Sequence, residues 1–206
     1  MLFRSDRDAA RVVNDYRLTS GATVRHEQCF RPGAGGEMTV DELVLIPDGI
    51  DDLARVGIVL EVVPGLEHLE WFGTGPHETY PDRKRGGRIG RWRSSVADQH
   101  VPYIRPQENG GHADVRWLVL TDDSGQGLRL SLDRPRQVSA SHFRADDLAA
   151  ARHEPELRAR AETVIHLDAA HRGLGTASCG PDTLPEYLVG PGEYRWSWTL
   201  APIGPG

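Results

Sequence analysis

Long apolar runs and an excess of positive charge are both missing from this chain. No apolar segment approaches the roughly 20 residues that a bilayer-spanning helix needs, so we expect no membrane partner. The net charge is −6, which argues against a nucleic-acid or anionic-membrane surface. The N-terminus reaches charge at Arg4 without an apolar segment before it. The sequence therefore predicts no secretion signal and a cytoplasmic protein.

Cysteine is scarce, and apolar residues are few. Cys29 and Cys179 lie far apart in the sequence, and spacing does not identify them as a disulfide, so reduced thiols are the simpler expectation. Hydrophobic residues make up 38% of the 206 residues, a composition typical of one soluble domain that is long enough for a substantial core. We therefore treat residues 1–206 as a single domain.

Glycine and proline are frequent, with 23 and 14 residues, and they divide the chain into short β-favouring segments. Residues 1–24 are polar and charged in their first part, which predicts a strand-poor lead-in. One short helix is predicted at 148–151 and ends near Pro155. Strands are predicted at 23–30, 37–46, 56–63, 115–120, 127–133, 163–167 and 193–200. Without helical crossovers between its first strands, the chain is predicted to be all-β and antiparallel, a sandwich or a barrel.

Three polar segments separate these strands. Residues 69–93 are aromatic, glycine-rich and basic, but Pro76 and Pro81 interrupt the helix that a phosphate-binding glycine loop requires. We interpret this segment as a solvated loop or a face for an acidic neighbouring domain, in preference to a base-stacking surface. Residues 98–117 contain His, Glu and Asp side chains without the spacing of a zinc site, which favours a hydrogen-bonded loop.

The third segment, residues 171–187, is too rich in glycine and proline for a helix or a long strand. It also carries Cys179 between Ser178 and Gly180. Binding groups are often carried on loops that a rigid frame holds, so this loop is a candidate for a ligand or a partner. A turn that joins two strands is the alternative, and the local sequence favours it.

These segments carry three motifs: WFGTGPHETYPDR at 71–83, PYIRPQENG at 102–110, and HRGLG at 171–175 with the loop up to Gly180. In the same order they resemble the C-terminal domain, the small chain or fifth domain, of the β-galactosidases of glycoside hydrolase family two. The resemblance implies a large antiparallel β-sandwich, or supersandwich, similar to galactose mutarotases. It also implies a cytoplasmic, oligomeric β-galactosidase that hydrolyses terminal β-D-galactosides.

The same resemblance limits the role of this chain. In the family the two catalytic glutamates lie in a separate TIM barrel, which also holds Mg and Na, and no part of this sequence resembles that barrel. We therefore expect no catalytic residue, metal site or cofactor here, and we expect a galactoside and a barrel-bearing domain or chain as partners. The family domain begins upstream of Met1, so the resemblance implies an N-terminally truncated sandwich.

In the family a loop of this domain forms one wall of the galactose site and often carries a tryptophan. Cys179 is the best match to that position, with Ser178 and Gly180 beside it, so the resemblance implies these as substrate-lining residues. Further candidates for a sugar loop or an interface are His77, Glu78, Arg83, Glu108, Asn109 and His112.

Two alternatives stay open. The chain could bind carbohydrate without a partner, using exposed Trp71, Trp92 or Trp117 as stacking platforms. It could also carry mutarotase-like acid and base chemistry, with His112 and Glu108 as the pair, on fold analogy only.

Overall fold

A computed structural model describes residues 2–6, 9–175 and 180–204. The described chain forms strands and one short helix, α1 (Ala145–Ala150). The strands are β1 (Leu2–Asp6), β2 (Ala9–Arg17), β3 (Thr23–Pro32), β4 (Met38–Ile46), β5 (Arg55–Val62), β6 (His68–Gly75), β7 (Arg88–Ser95), β8 (His112–Thr121), β9 (Gly127–Ser141), β10 (Thr163–His171) and β11 (Gly192–Ile203). The architecture is all-β, as predicted.

The strands pair antiparallel in the order β1-β2-β3-β4-β11-β9-β8-β6-β7, and β10 joins β5 to β9. Because β9 is 15 residues long, its first half pairs β11 while its second half, from Gln137 to Ser141, pairs β10. The resulting large antiparallel β-sandwich encloses an apolar core. Its fully buried side chains include Val40, Leu118, Leu120, Leu130, Ile165 and Leu167. Among the described residues no helix has the length and apolarity that a membrane crossing requires.

Each predicted strand and the predicted helix coincide with an observed element, but the strand-poor lead-in is wrong. Residues 2–6 and 9–17 form β1 and β2. The side chains of β2 are held by charged pairs to β3, Arg11 with Glu27 and Asp15 with Arg25. Such a strand lacks the apolar alternation by which strands are recognised.

The basic segment 69–93 is also more regular than predicted, because it contains β6 and β7 joined by the loop 76–87. Arg91 and Arg93 of β7 both form ion pairs with Glu70 of β6, whereas Trp92 packs against the core. The segment 98–117 is a loop only until β8 begins at His112, and β9 extends well beyond the predicted end at residue 133.

A buried carboxylate joins β3, β4 and β11. Glu42 of β4 accepts hydrogen bonds from His26 (2.6 Å) and Gln28 (3.0 Å) of β3 and from the indole of Trp198 of β11 (2.9 Å). Its side chain has no exposed surface. A buried charge is tolerated where it is paired and fully hydrogen-bonded, so Glu42 fixes the relative position of these strands.

Candidate functional site

The three motifs, far apart in the sequence, meet at one junction. Tyr80 of the first motif donates its hydroxyl hydrogen bond to Glu108 of the second at 3.3 Å, and accepts one from the backbone of Gly111 at 3.1 Å. The ring of Tyr80 lies 5.4 Å from the ring of His171, the first residue of the third motif. His171 Nε2 lies 3.8 Å from Glu108 Oε1. Each motif therefore supplies one member of a compact group.

Asp82 of the first motif holds the backbone of the third. Its two carboxylate oxygens accept hydrogen bonds from the N–H groups of Leu174 (3.0 Å) and Gly175 (2.8 Å). Gly173 makes the close approach possible, since a Cβ there would lie 2.8 Å from both Asp82 Cγ and Tyr187 Cβ. The described start of the 171–187 loop is thus fixed on a rigid partner.

Arg172 secures the same loop from its other side. Its guanidinium binds Asp52 (2.6 Å), Asp182 (3.0 Å) and the hydroxyl of Thr183 (2.6 Å). The hydrogen bond to Asp52, followed by that to Asp182, raises the pKa of Arg172. Thr183 also donates to the carbonyl of Gly173 at 2.7 Å, so the two ends of the loop are tied together.

A buried ion group lies behind the junction. Arg55, the first residue of β5, forms an ion pair with Glu108 and lies 3.5 Å from Asp168 of β10. Burial opposes ionisation of Glu108, but His171 and Arg55 outweigh it and lower its pKa. Burial raises the pKa of Asp168 to about 7, against the opposing effect of Arg55. Burial also raises the pKa of Tyr80, and the nearby carboxylate of Glu108 adds to that shift.

This arrangement is built to position loops. Glu108 is held ionised by Arg55, while Tyr80 stays protonated and serves as a hydrogen-bond donor. A general base needs a carboxylate that is free to accept a proton near the working pH, and Glu108 is engaged by partners instead. The group therefore supports the ends of three loops.

Of the predicted sugar-loop or interface residues, Glu78 and Arg83 form an ion pair, and Glu78 also accepts from Tyr103 and from the backbone of Gly110 (2.9 Å). His77 and Glu78 line a cavity of about 330 Å³. Asn109 shapes the turn, accepting from the backbone N–H of Val101 and donating to the carbonyl of Gln107, both at 2.9 Å.

His112 belongs to a different group. Its Nε2 hydrogen-bonds to Gln99 at 2.7 Å, and its ring lies 4.1 Å from that of Trp71. Burial lowers the pKa of His112 to about 4. The suggested acid and base pair is therefore divided, since Glu108 contacts Arg55, Tyr80 and His171 while His112 packs in the core.

The predicted substrate-lining residues fall largely outside the structure. Ser178 and Cys179 lie outside the described residues, whereas Gly180 is described and exposed. Cys29 is a free thiol on β3. The lining role of these residues remains a prediction.

The tryptophans do not form the proposed exposed platforms. The prediction of Trp71 as a platform is wrong, because this residue is only 3% exposed. Its indole N–H donates to the carbonyl of Thr74 at 3.1 Å. Trp92 is partly buried and donates to the carbonyl of Gly73 at 3.2 Å. Trp117 is partly exposed, with the guanidinium of Arg129 at 4.5 Å from its ring centre.

Sequence reasoning missed Arg55, Asp82 and Asp168. Asp82 lies within a quoted motif, but its partners are over 90 residues away. Arg55 borders a predicted strand, and Asp168 follows one that is otherwise apolar. An acidic residue at the end of a buried strand was the one signal that could have identified Asp168. The described residues contain no group of three or more His, Cys, Asp or Glu side chains placed to hold a metal ion.

Comparison with known proteins gives consistent matches. The sequence profile described as "Beta galactosidase small chain" matches residues 4–200. A β-galactosidase from Arthrobacter sp. (strain B7) is 37% identical over 142 residues, covering 66% of this chain and 14% of the relative. One from Priestia megaterium is 30% identical over 170 residues, covering 82% of this chain and 16% of the relative. The chain thus spans about one sixth of the length of these relatives.

The fold also resembles a solved structure outside the β-galactosidases. The GalM/aldose epimerase homologue from C. elegans superposes with a TM-score of 0.50 and 11% identity, over 98% of this chain and 68% of that one. At such low identity the likeness concerns the fold, which is mutarotase-like.

Proposed function

The chain belongs to the β-galactosidase small-chain family, whose profile matches residues 4–200, and from this premise we propose that it forms one wall of a galactoside site. The catalytic barrel of that site lies on another domain or another chain. The working enzyme hydrolyses terminal β-D-galactosides in a cytoplasmic oligomer, and the barrel supplies the catalytic carboxylates and the metals.

The observation that carries this proposal is the convergence of the three family motifs at one end of the sandwich. Tyr80, Glu108 and His171 are mutually in contact, and Asp82 fixes the loop that follows His171. A loop held this firmly by its frame can present a fixed surface to a ligand, with little ordering needed on binding.

Exposed apolar side chains beside this junction support a partner surface. Ile104 of the second motif is 94% exposed, and Leu184 of the 171–187 loop is also exposed. Neighbouring Tyr103 is bound to Glu78, so the backbone that carries Ile104 is held in place. Contiguous exposed apolar surface marks an interface, whereas single exposed residues are common, so we infer the partner surface at these two side chains and test it with a variant at Ile104.

The test is complementation. The chain is mixed with a β-galactosidase whose own C-terminal region has been removed, and hydrolysis of a nitrophenyl galactoside is measured beside size-exclusion chromatography. We expect a complex and an increase in activity. Unchanged activity without a complex refutes the proposal.

A matched pair of variants locates the surface. Ile104→Asp places a charge at the proposed interface and is expected to abolish the increase. Val63→Asp is the control, because Val63 is 68% exposed and directly follows the last residue of β5, whereas Arg55 is its first, so the two lie about 26 Å apart along an extended strand. Equal activity of the two variants would place the partner elsewhere.

A further inference from the structure

The outward surface of the large sheet carries arginines that the proposed function does not use. Residues opposite each other on neighbouring strands lie on the same face of a sheet, and the register places Phe72 of β6 between Trp117 of β8 and Arg91 of β7. The adjacent residues Trp71 and Leu118 belong to the core, so this row points outward. We name the outward surface of β9, β8, β6 and β7 the arginine face. It carries Phe72, Arg91, Arg93, Arg116, Trp117 and Arg129.

The arginine face has more positive groups than carboxylates to pair with them. Arg91 and Arg93 share one carboxylate, that of Glu70. The hydrogen bonds that Arg116 and Arg129 donate within the described residues end on neutral oxygen atoms, which are the carbonyl of Asp114 and the hydroxyl of Ser131, both at 3.2 Å. The four guanidinium groups therefore have the carboxylate of one residue between them.

The same surface of the sheet is neutral farther along, on β2, β3 and β4. There each arginine has a carboxylate of its own on a neighbouring strand. The pairs are Arg11 with Glu27, Arg25 with Asp15, and Arg31 with Asp41. The excess of positive charge is thus confined to the arginine face and is not a general property of this surface.

Aromatic rings hold two of the guanidinium groups in place. The guanidinium of Arg129 lies 4.5 Å from the ring centre of Trp117, and that of Arg116 lies 5.3 Å from the ring centre of Phe72. Both distances are within the range of a cation–π contact, and the two rings stack on each other at 6.1 Å. A guanidinium that is already ordered loses less freedom on binding, and most of its N–H donors are still available to a partner.

Charge and size select the partner. Guanidinium groups bind carboxylates through paired hydrogen bonds. The whole chain has a net charge of −6, so the surface outside the arginine face is more negative still, and a long polyphosphate would extend onto it. From β7 to β9 the face spans three strand spacings, about 14 Å, which an extended peptide of about five residues covers. These properties favour a short acidic peptide segment.

We propose that the arginine face docks an extended acidic segment of another polypeptide. Its Asp or Glu side chains pair with Arg116 and Arg129, and its backbone crosses the stacked rings of Trp117 and Phe72. The galactoside wall proposed above is not needed for this contact. The tests therefore use neither sugar nor barrel, and either proposal can fail without the other.

The first test uses the unmodified 206-residue chain at about 50 mM salt, where screening of surface charges is weak. Backbone amide and arginine side-chain NMR shifts are followed during titration with a hexaglutamate peptide with blocked ends, with hexaserine and with a thymidine hexanucleotide. We expect saturable shifts with hexaglutamate, confined to β6, β7, β8 and β9, that weaken when salt is added. No saturable shift, an equal response to hexaserine, or tighter binding of the nucleotide overturns the proposal.

A second test uses variants that each remove one positive charge. Arg129→Gln and Arg116→Gln, at partly exposed positions, should each weaken hexaglutamate binding about fivefold. Arg11→Gln is the matched control, because Arg11 lies on the same surface four strand spacings from β9, about 19 Å away. Its loss should change the affinity by less than about twofold, since that distance exceeds the Debye length.

Unchanged affinity in folded Arg129→Gln and Arg116→Gln variants refutes the assignment, and so does an equal loss in Arg11→Gln. Sedimentation of the unmodified chain tests a second copy as the occupant. We expect no dimer that depends on this face. A dimer that Arg129→Gln dissociates would assign the face to self-association and overturn the proposal.

Discussion

Replacing Asp82 by alanine tests whether the motifs are joined as described. The substitution removes both acceptors of the Leu174 and Gly175 amides. A hydrogen bond to a charged group contributes about 1.5–3 kcal/mol, and Asp82 is partly exposed, so the expected loss in unfolding free energy is about 2–3 kcal/mol in total. Urea denaturation measures this loss, and hydrogen exchange should show faster exchange at Leu174 and Gly175.

The control is Asp51→Ala, at an exposed position in the segment that leads to β5, with an expected change within about 0.5 kcal/mol. Gly173→Ala disturbs the same contact by a different route, because its Cβ would meet Asp82 and Tyr187 at 2.8 Å. It should therefore accelerate exchange at the same two amides. Unaltered exchange at Leu174 and Gly175 in Asp82→Ala would refute the role of Asp82 as the anchor of the loop.

Two further predictions concern buried charges. Near pH 5.5, stability should rise with pH with a slope of about one proton. There the unfolded chain holds protons on His112 and His166, whereas the native chain holds one on Asp168, because burial lowers the pKa of both histidines to about 4 and raises that of Asp168 to about 7. Asp168→Asn should steepen the slope to about two protons in urea titrations, and identical slopes would contradict the shift at Asp168. Glu42→Leu should lower the unfolding free energy by about 3 kcal/mol, because the buried Trp198 indole loses its acceptor. A larger loss for Glu42→Gln, which keeps one carbonyl oxygen, would contradict this reasoning.

Much of the fold could be predicted because apolar alternation and turn residues are local signals. β4, with Val40, Val44 and Ile46 buried, and β11, with Trp196 and Trp198 buried, show them clearly. β2 and β7 lack the apolar alternation, because their side chains form charge pairs across to the neighbouring strands. Arg93 of β7 lies opposite Glu70 of β6 and pairs with it, and the sequence of one strand does not contain that information.

The site was predictable to the level of its motifs but not of its contacts. The order of the three motifs identified the family, which the profile match confirms. The bond between Asp82 and Gly175 spans 93 residues, and the one between Arg55 and Asp168 spans 113. Such pairs are set by sheet topology, in which β10 lies between β5 and β9, and topology was not specified by local patterns.

The position of β11 bears on how the chain is assembled during synthesis. Residues 192–203 follow every other strand in the sequence, yet β11 lies between β4 and β9 in the sheet order. In the described structure, the first four strands therefore join the remaining strands of the sheet through the last one made. A nascent chain cannot complete the sheet until β11 has emerged from the ribosome. Until then the edges of β4 and β9 that pair with β11 stay unpaired.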